Sequence, residues 1–346
     1  MKGRQIMGIS VKGKLFEFFV CKLLLFCGFK PVNHDGLLIY EGSAGTMIQG
    51  LGQPHNADVL LEPPFQTPFY FPTRLLIECK CYRDKSGLTV IRNALGLRED
   101  INRLDVVTED ILRNRQVSRT TKTKSYPMKR YSYQVGVASI NGFKDTAYSF
   151  AQTHRIPLIS FAENKAFKEI RECIDAIEQI ARDNEDYAKQ VLEFIKDYQY
   201  EGHLDLPYSR MDDCLRHFIE EIGVLQNNIV VGLLEDGTII FMVKLREQNE
   251  YSKMTRYYDG CEIHWSDENT AWELYDGYQR YAFELPKEIY EEWIKSENKR
   301  LAAVDIKEGH FSKIVLFESR YDERSGIRTI YLSKSFIEDA KREFDM

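Results

Sequence analysis

Long hydrophobic runs are scarce in this sequence. The most apolar stretch, residues 15–29, is broken by Glu17 and Lys22 and falls short of the roughly 20 residues a membrane-spanning helix needs. No small-residue cleavage site follows it, so it does not read as a secretory leader. Cysteine is sparse and unpatterned. Seven residues, an odd number without framework spacing, argue against a disulfide scaffold and for a reducing, cytoplasmic setting. Internal repeats are absent as well. An overall excess of positive charge is missing too: the formal net charge is −6, which argues against a protein that coats nucleic acid over its whole surface.

That net figure hides a split. Residues 1–150 carry 21 Lys and Arg against 13 Asp and Glu, while the remainder carries 26 against 40. A basic front and an acidic back imply two jobs, with a polyanion meeting the first. At 346 residues, 43% hydrophobic and 29% charged, the chain is expected to fold as two globular domains.

The pattern predicts a helix over residues 13–27 stopped by Gly28, strands over 37–40, 57–61 and 75–82, and a helix over about 89–114. A strand at 133–140, a short helix at 144–154, a strand at 156–161 and a long helix capped by Asn164 follow. Together these describe a mixed sheet flanked by helices. Residues 198–209, with Gly202 and Pro207, mark a boundary. Beyond it come a helix at 211–222, a hairpin turned by Asp236-Gly237, an aromatic stretch at 257–281 and a second hairpin across 322–326. The expected organisation is a first domain at 1–165, a helical connector at 166–204, and an acidic α+β domain at 205–346 with a targeting or regulatory role.

Chemistry concentrates at a few misplaced charges. Side chains alternate along a strand, so Glu78 and Lys80 share one face of an otherwise apolar segment, while Ile77, Cys79 and Cys81 share the other. Asp58 stands in the apolar strand before it, and Glu17 lies among Val20, Cys21 and Leu24 on a helix face that should be packed. Buried charges are costly unless a partner or metal compensates. Three carboxylates and a lysine at apolar positions suit a hard divalent ion.

The order Asp58, then Glu78-x-Lys80, resembles the PD-(D/E)xK nuclease signature. The helix beginning Gly13-Lys14-Leu15-Phe16-Glu17 resembles the first helix of the Mrr-like restriction endonuclease branch, and the later strand–helix–strand is similar too, so the resemblance covers about residues 10–165. It implies an α/β restriction-endonuclease-like core and a metal-dependent DNA endonuclease, serving bacterial defence against foreign DNA. Asp58, Glu78 and the Cys79 carbonyl would hold Mg²⁺, with Mn²⁺ able to substitute. Lys80 would act on the attacking water, and Glu17 would assist the metal or the water. Two departures stand out. Asn56-Ala57 replaces the proline that often precedes the first aspartate, and the glutamine often found after the lysine strand is missing, leaving Arg92 as the nearest polar residue.

The tract from Arg113 to Arg130 has seven basic residues and no acidic one. Arg113, Arg115, Arg119, Lys122, Lys124, Lys129 and Arg130 are expected to join Arg92 in contacting DNA phosphates, which positions a duplex without reading its sequence. Cys214/His217 and Cys261/His264 have the spacing of zinc ligand pairs, but their apolar context favours core packing. Cutting both strands usually calls for two active sites, which a homodimer could supply, although the sequence does not fix the oligomeric state, and the C-terminal domain could meet a defence-system partner protein. Two rivals remain open: a nuclease for RNA or branched DNA in repair, and a catalytically silent scaffold of the same fold.

Overall fold

The computed structural model describes residues 10–43, 45–66, 70–104, 113, 116–117, 130–162, 165–202, 211–234, 238–245, 260–268, 271–286, 289–290, 299–318 and 326–342. Helix α1, Val11–Phe26, begins where the Ser10 hydroxyl accepts a hydrogen bond from the Gly13 amide, and the chain turns out of it through Gly28 at φ +87°. Apart from Lys12, Lys14, Glu17 and Lys22 it is built almost wholly of apolar residues, and all of it beyond the first turn is buried. The longest apolar stretch of the sequence is thus the central core helix. No described helix is long and apolar enough to cross a membrane.

The next elements are β1 (Lys30–Pro31), β2 (Ile39–Gly42), β3 (Gly45–Gln49), β4 (Pro54–Asn56), β5 (Val59–Glu62) and β6 (Thr73–Lys80). They are followed by α2 (Leu88–Arg103), β7 (Ser132–Ser139), α3 (Asp145–His154) and β8 (Leu158–Ser160). Strands β1, β5, β6, β7 and β8, in that order, form a mixed sheet in which β5 and β6 are antiparallel while β6, β7 and β8 are parallel. Strands β2, β3 and β4 form a small sheet of their own. Alternation along β5 and β6 sends Leu60 and Leu76 toward α2 and α3, and Val59 and Ile77 toward α1. The mixed sheet is therefore covered on both faces.

Helices α4 (Lys168–Asp183) and α5 (Glu185–Tyr198) fill the expected connector, and α6 (Asp213–Leu225) follows. All three pack on α1, and their apolar residues belong to the same core cluster as Val59, Ile77, Val231 and Phe241. The core runs without a break across the boundary anticipated near residue 205, because α1 buries its whole circumference and needs α4, α5 and α6 to do so.

The rest consists of β9 (Ile229–Leu234), β10 (Ile239–Lys244), β11 (Glu262–Ser266), β12 (Ala271–Tyr275), β13 (Arg280–Phe283), α7 (Lys299–Phe311), β14 (Lys313–Glu318), β15 (Gly326–Tyr331) and α8 (Lys334–Arg342). Its strands form a seven-stranded antiparallel sheet in the order β11, β12, β13, β10, β9, β14, β15. The sheet curls until its two edges meet. The Cys261 amide donates to the Tyr331 carbonyl at 2.7 Å, and the Ser333 amide donates to the Cys261 carbonyl at 2.8 Å. A side chain at Gly260 would run into the Tyr331 carbonyl, so the closure requires glycine there. Across the same gap, Arg328 on β15 pairs with Asp276 at 2.7 Å, between β12 and β13. The barrel-like interior holds apolar Met242, Leu274, Phe283 and Leu316, and on the same faces the charged Lys244, Glu318 and Arg328, with Glu318 paired to Lys244 at 3.0 Å and to Arg328 at 3.1 Å.

Candidate active site

The register of the hairpin β5–β6 assembles the site. Val59 stands opposite Ile77, so Asp58, one residue earlier, falls beside Glu78, and Lys80 lies two residues further on the same face. Lys80 Nζ is 2.7 Å from Glu78 Oε2 and 3.8 Å from Asp58 Oδ2. The Cys79 amide donates to Asp58 Oδ2 at 2.8 Å, and the Asn56 side-chain amide donates to Asp58 Oδ1 at 3.3 Å. In an extended strand the N–H and C=O of one residue point the same way. The Cys79 carbonyl therefore opens on the side where Asp58 lies.

Helix α1 brings Glu17 to this end of the sheet. It is buried, and its Oε2 accepts from Lys14 Nζ at 2.6 Å, one helical turn away. Burial first, and then the Asp58 charge, push the Glu17 carboxyl up to about 7, although Lys14 pulls the other way. Burial and Asp58 likewise raise Glu78, opposed by Lys80 and His55. Burial acts to lower Lys80, but Glu78 and Asp58 outweigh it and hold the ammonium above its ordinary value. These are the electrostatics of crowded carboxylates sharing too few cations.

No known protein family, curated protein or solved structure matches this chain. The site must be argued from its own geometry.

Among the described residues, no three His, Cys, Asp or Glu side chains converge as a ready-made metal cage. A Mg²⁺ ion asks for less, since it keeps several waters and takes one or two carboxylates. The donor set fits such an ion: the hard oxygens of Asp58 and Glu78, the Cys79 carbonyl on the same side, and carboxylates whose mutual repulsion a cation relieves. Asn56 Oδ1 is also buried without a hydrogen-bond partner beside Asp58, an unsatisfied oxygen that fits a nearby cation or its water.

The remaining expected residues lie elsewhere. Arg92 is exposed on α2, with its guanidinium 5.8 Å from the ring centre of Phe150. Arg113 and Arg130 are exposed, while Arg115, Arg119, Lys122, Lys124 and Lys129 fall outside the described residues. Cys261 is buried in the barrel, and His264, an odd number of residues along, points to the opposite face and pairs with Glu273 at 3.7 Å.

Several contributors carry no motif. His55 Nε2 lies 2.7 Å from Asp100 Oδ2 on α2, which ties β4 to that helix. Gln199 donates to the Asp58 carbonyl at 3.1 Å, and Tyr200 packs into the same core. Lys22, fully buried, donates to the carbonyls of Tyr198 at 2.7 Å and Glu201 at 2.5 Å. It engages carbonyls at the end of α5 rather than Glu17. For Asn56 and His55 the one signal is their position two and three residues before Asp58. Nothing local marks Gln199.

Proposed function

We propose that this chain is a metal-dependent DNA endonuclease of the PD-(D/E)xK type, with a restriction-endonuclease-like core and a role in defence against foreign DNA. The observation that supports it best is the convergence of Asp58, Glu78 and Lys80 at one end of β5 and β6, with buried Glu17 against them. The chance occurrence of an E-x-K in a strand would not bring two further carboxylates to it.

Asp58, Glu78 and the Cys79 carbonyl would hold Mg²⁺, which supplies charge neutralisation at the phosphate and a more acidic water. Lys80, kept protonated by its two carboxylates, donates hydrogen bonds that orient the attacking water and steady negative charge at the phosphoryl oxygens. Glu17, buried beside these groups, would accept the proton that the attacking water gives up. Asn56 and the Cys79 amide fix the Asp58 carboxylate, so it needs no reorganisation when the substrate arrives.

The test is incubation of the full chain with plasmid, linear duplex, single-stranded DNA and RNA, with Mg²⁺, with Mn²⁺ and with EDTA. Metal-dependent cutting of DNA supports the reading. Metal-dependent cutting of RNA alone moves the substrate class, and inertness toward all four supports a silent scaffold.

A further inference from the structure

The far end of β6 carries a surface that the reaction does not explain. Between β5 and β6 the chain passes through a loop that holds four of its ten prolines and exposes three aromatic rings. Phe65 is 56% exposed, Tyr70 78% and Phe71 55%. The loop is clamped at its base. Gln66 Nε2 donates to the Thr73 carbonyl at 3.0 Å, and the Thr73 amide donates to Gln66 Oε1 at 2.6 Å.

Single exposed apolar side chains need no explanation, but three exposed rings on one loop anchored at its base are a concentration that calls for one. A cation sits on one of them: the Arg130 guanidinium lies 5.2 Å from the Phe71 ring centre. Arg130 is also the last residue of the acid-free basic tract that starts at Arg113. Aromatic cluster and basic tract therefore meet at one contact. Nearby Arg74 is engaged internally, over the Tyr131 ring at 3.4 Å and paired with Glu62 at 3.0 Å, while Arg130 faces outward. Ring faces beside an exposed arginine, at the end of a basic run, are what unpaired nucleic-acid bases stack on. A purely apolar protein partner has no use for the basic run.

We propose that Phe65, Tyr70, Phe71 and Arg130 form a stacking platform for unpaired bases, so that the preferred substrate is DNA in which a single-stranded segment adjoins a duplex. This rests on the nuclease reading above. The platform and the carboxylates lie at opposite ends of an eight-residue strand. At about 3.3 Å per residue the strand spans about 25 Å, which is about seven base-pair steps. Cutting is expected about that far into the duplex from the junction.

The experiment measures binding in EDTA by fluorescence anisotropy, with a labelled blunt duplex and the same duplex carrying a single-stranded extension. The wild-type chain is expected to bind the extended duplex about tenfold more tightly. A Tyr70→Ala/Phe71→Ala variant, shown folded by circular dichroism, should lose that preference while its affinity for the blunt duplex changes less than about twofold. With Mg²⁺, cut sites on the extended substrate should cluster near the stated spacing. Equal wild-type affinity for the two duplexes overturns the platform and leaves the nuclease reading intact. A preference that survives in the variant overturns it as well. No binding of either duplex in EDTA together with no cutting in Mg²⁺ overturns the nuclease reading itself.

Discussion

Gln199 donates its side-chain amide to the backbone carbonyl of Asp58, 141 positions away in sequence, at 3.1 Å. Lys22 holds the same segment through the carbonyls of Tyr198 and Glu201. The passage from α5 toward the acidic half is thereby fastened to the strand that presents the first carboxylate.

Gln199→Ala should therefore lower stability by only about 1 kcal/mol, the net worth of one hydrogen bond. Its effect on cutting should be larger than that loss of stability suggests, because Asp58 loses a restraint. Single-turnover cleavage alongside urea unfolding checks this. A variant slowed no more than a control substitution at exposed Glu193 would place Gln199 in a merely structural role.

The continuous core carries a second consequence. A fragment ending at Tyr198 would strip α6, β9 and β10 from α1, exposing Phe18 and Phe161, which contact Phe218 and Phe241 in the intact chain. It should be recovered aggregated or without sharp thermal unfolding. A soluble, cooperatively folding fragment would show that the first sheet and α1 need no cover from the second half.

A pH dependence follows from Glu17. Its carboxyl, ordinarily near 4.5, is pushed up to about 7, so between those values the native state holds a proton that the unfolded state has released. Stability of the metal-free protein should then fall as pH rises through that window. Glu17→Gln keeps the shape without the charge and should flatten the slope, with a gain of up to about 3 kcal/mol above the window. Urea midpoints in EDTA from about pH 5 to pH 8 test it, and parallel curves for the two proteins would contradict it. Because Mg²⁺ competes with that proton, its affinity in the wild type should rise over the same range.

Much of this was legible in the sequence, for identifiable reasons. The apolar run at 75–77 gives β6, the two-residue spacing of Glu78 and Lys80 gives their shared face, and the Gly28 stop gives the end of α1. Both C-terminal hairpins follow from apolar runs flanking turn residues, at Ile229–Leu234 with Ile239–Lys244 and at Lys313–Glu318 with Gly326–Tyr331. Helix α2 ends at Arg103, earlier than its apolar spacing suggested, with Leu104 extended. The curl that joins Cys261 to Tyr331 and Ser333 was not legible, because edge-to-edge pairing leaves no local periodicity. Nor was the Gln199 bond to Asp58, since one polar residue at a helix end looks like any other. The partners of Lys22 were not legible either, because the two carbonyls it binds come from chain that covers α1 from far along the sequence.

Hydrolysis of a phosphodiester by Asp58, Glu78 and Lys80 with a divalent ion is the reaction proposed for this site. It is tested most directly by plasmid nicking with the purified full chain in Mg²⁺, comparing wild type with Lys80→Ala and Asp58→Asn variants whose melting shows them folded. The expected result is metal-dependent nicking that EDTA stops and Mn²⁺ restores, with each variant slowed by about a hundredfold or more. Nicking by Lys80→Ala at the wild-type rate, or nicking that survives EDTA, would contradict it.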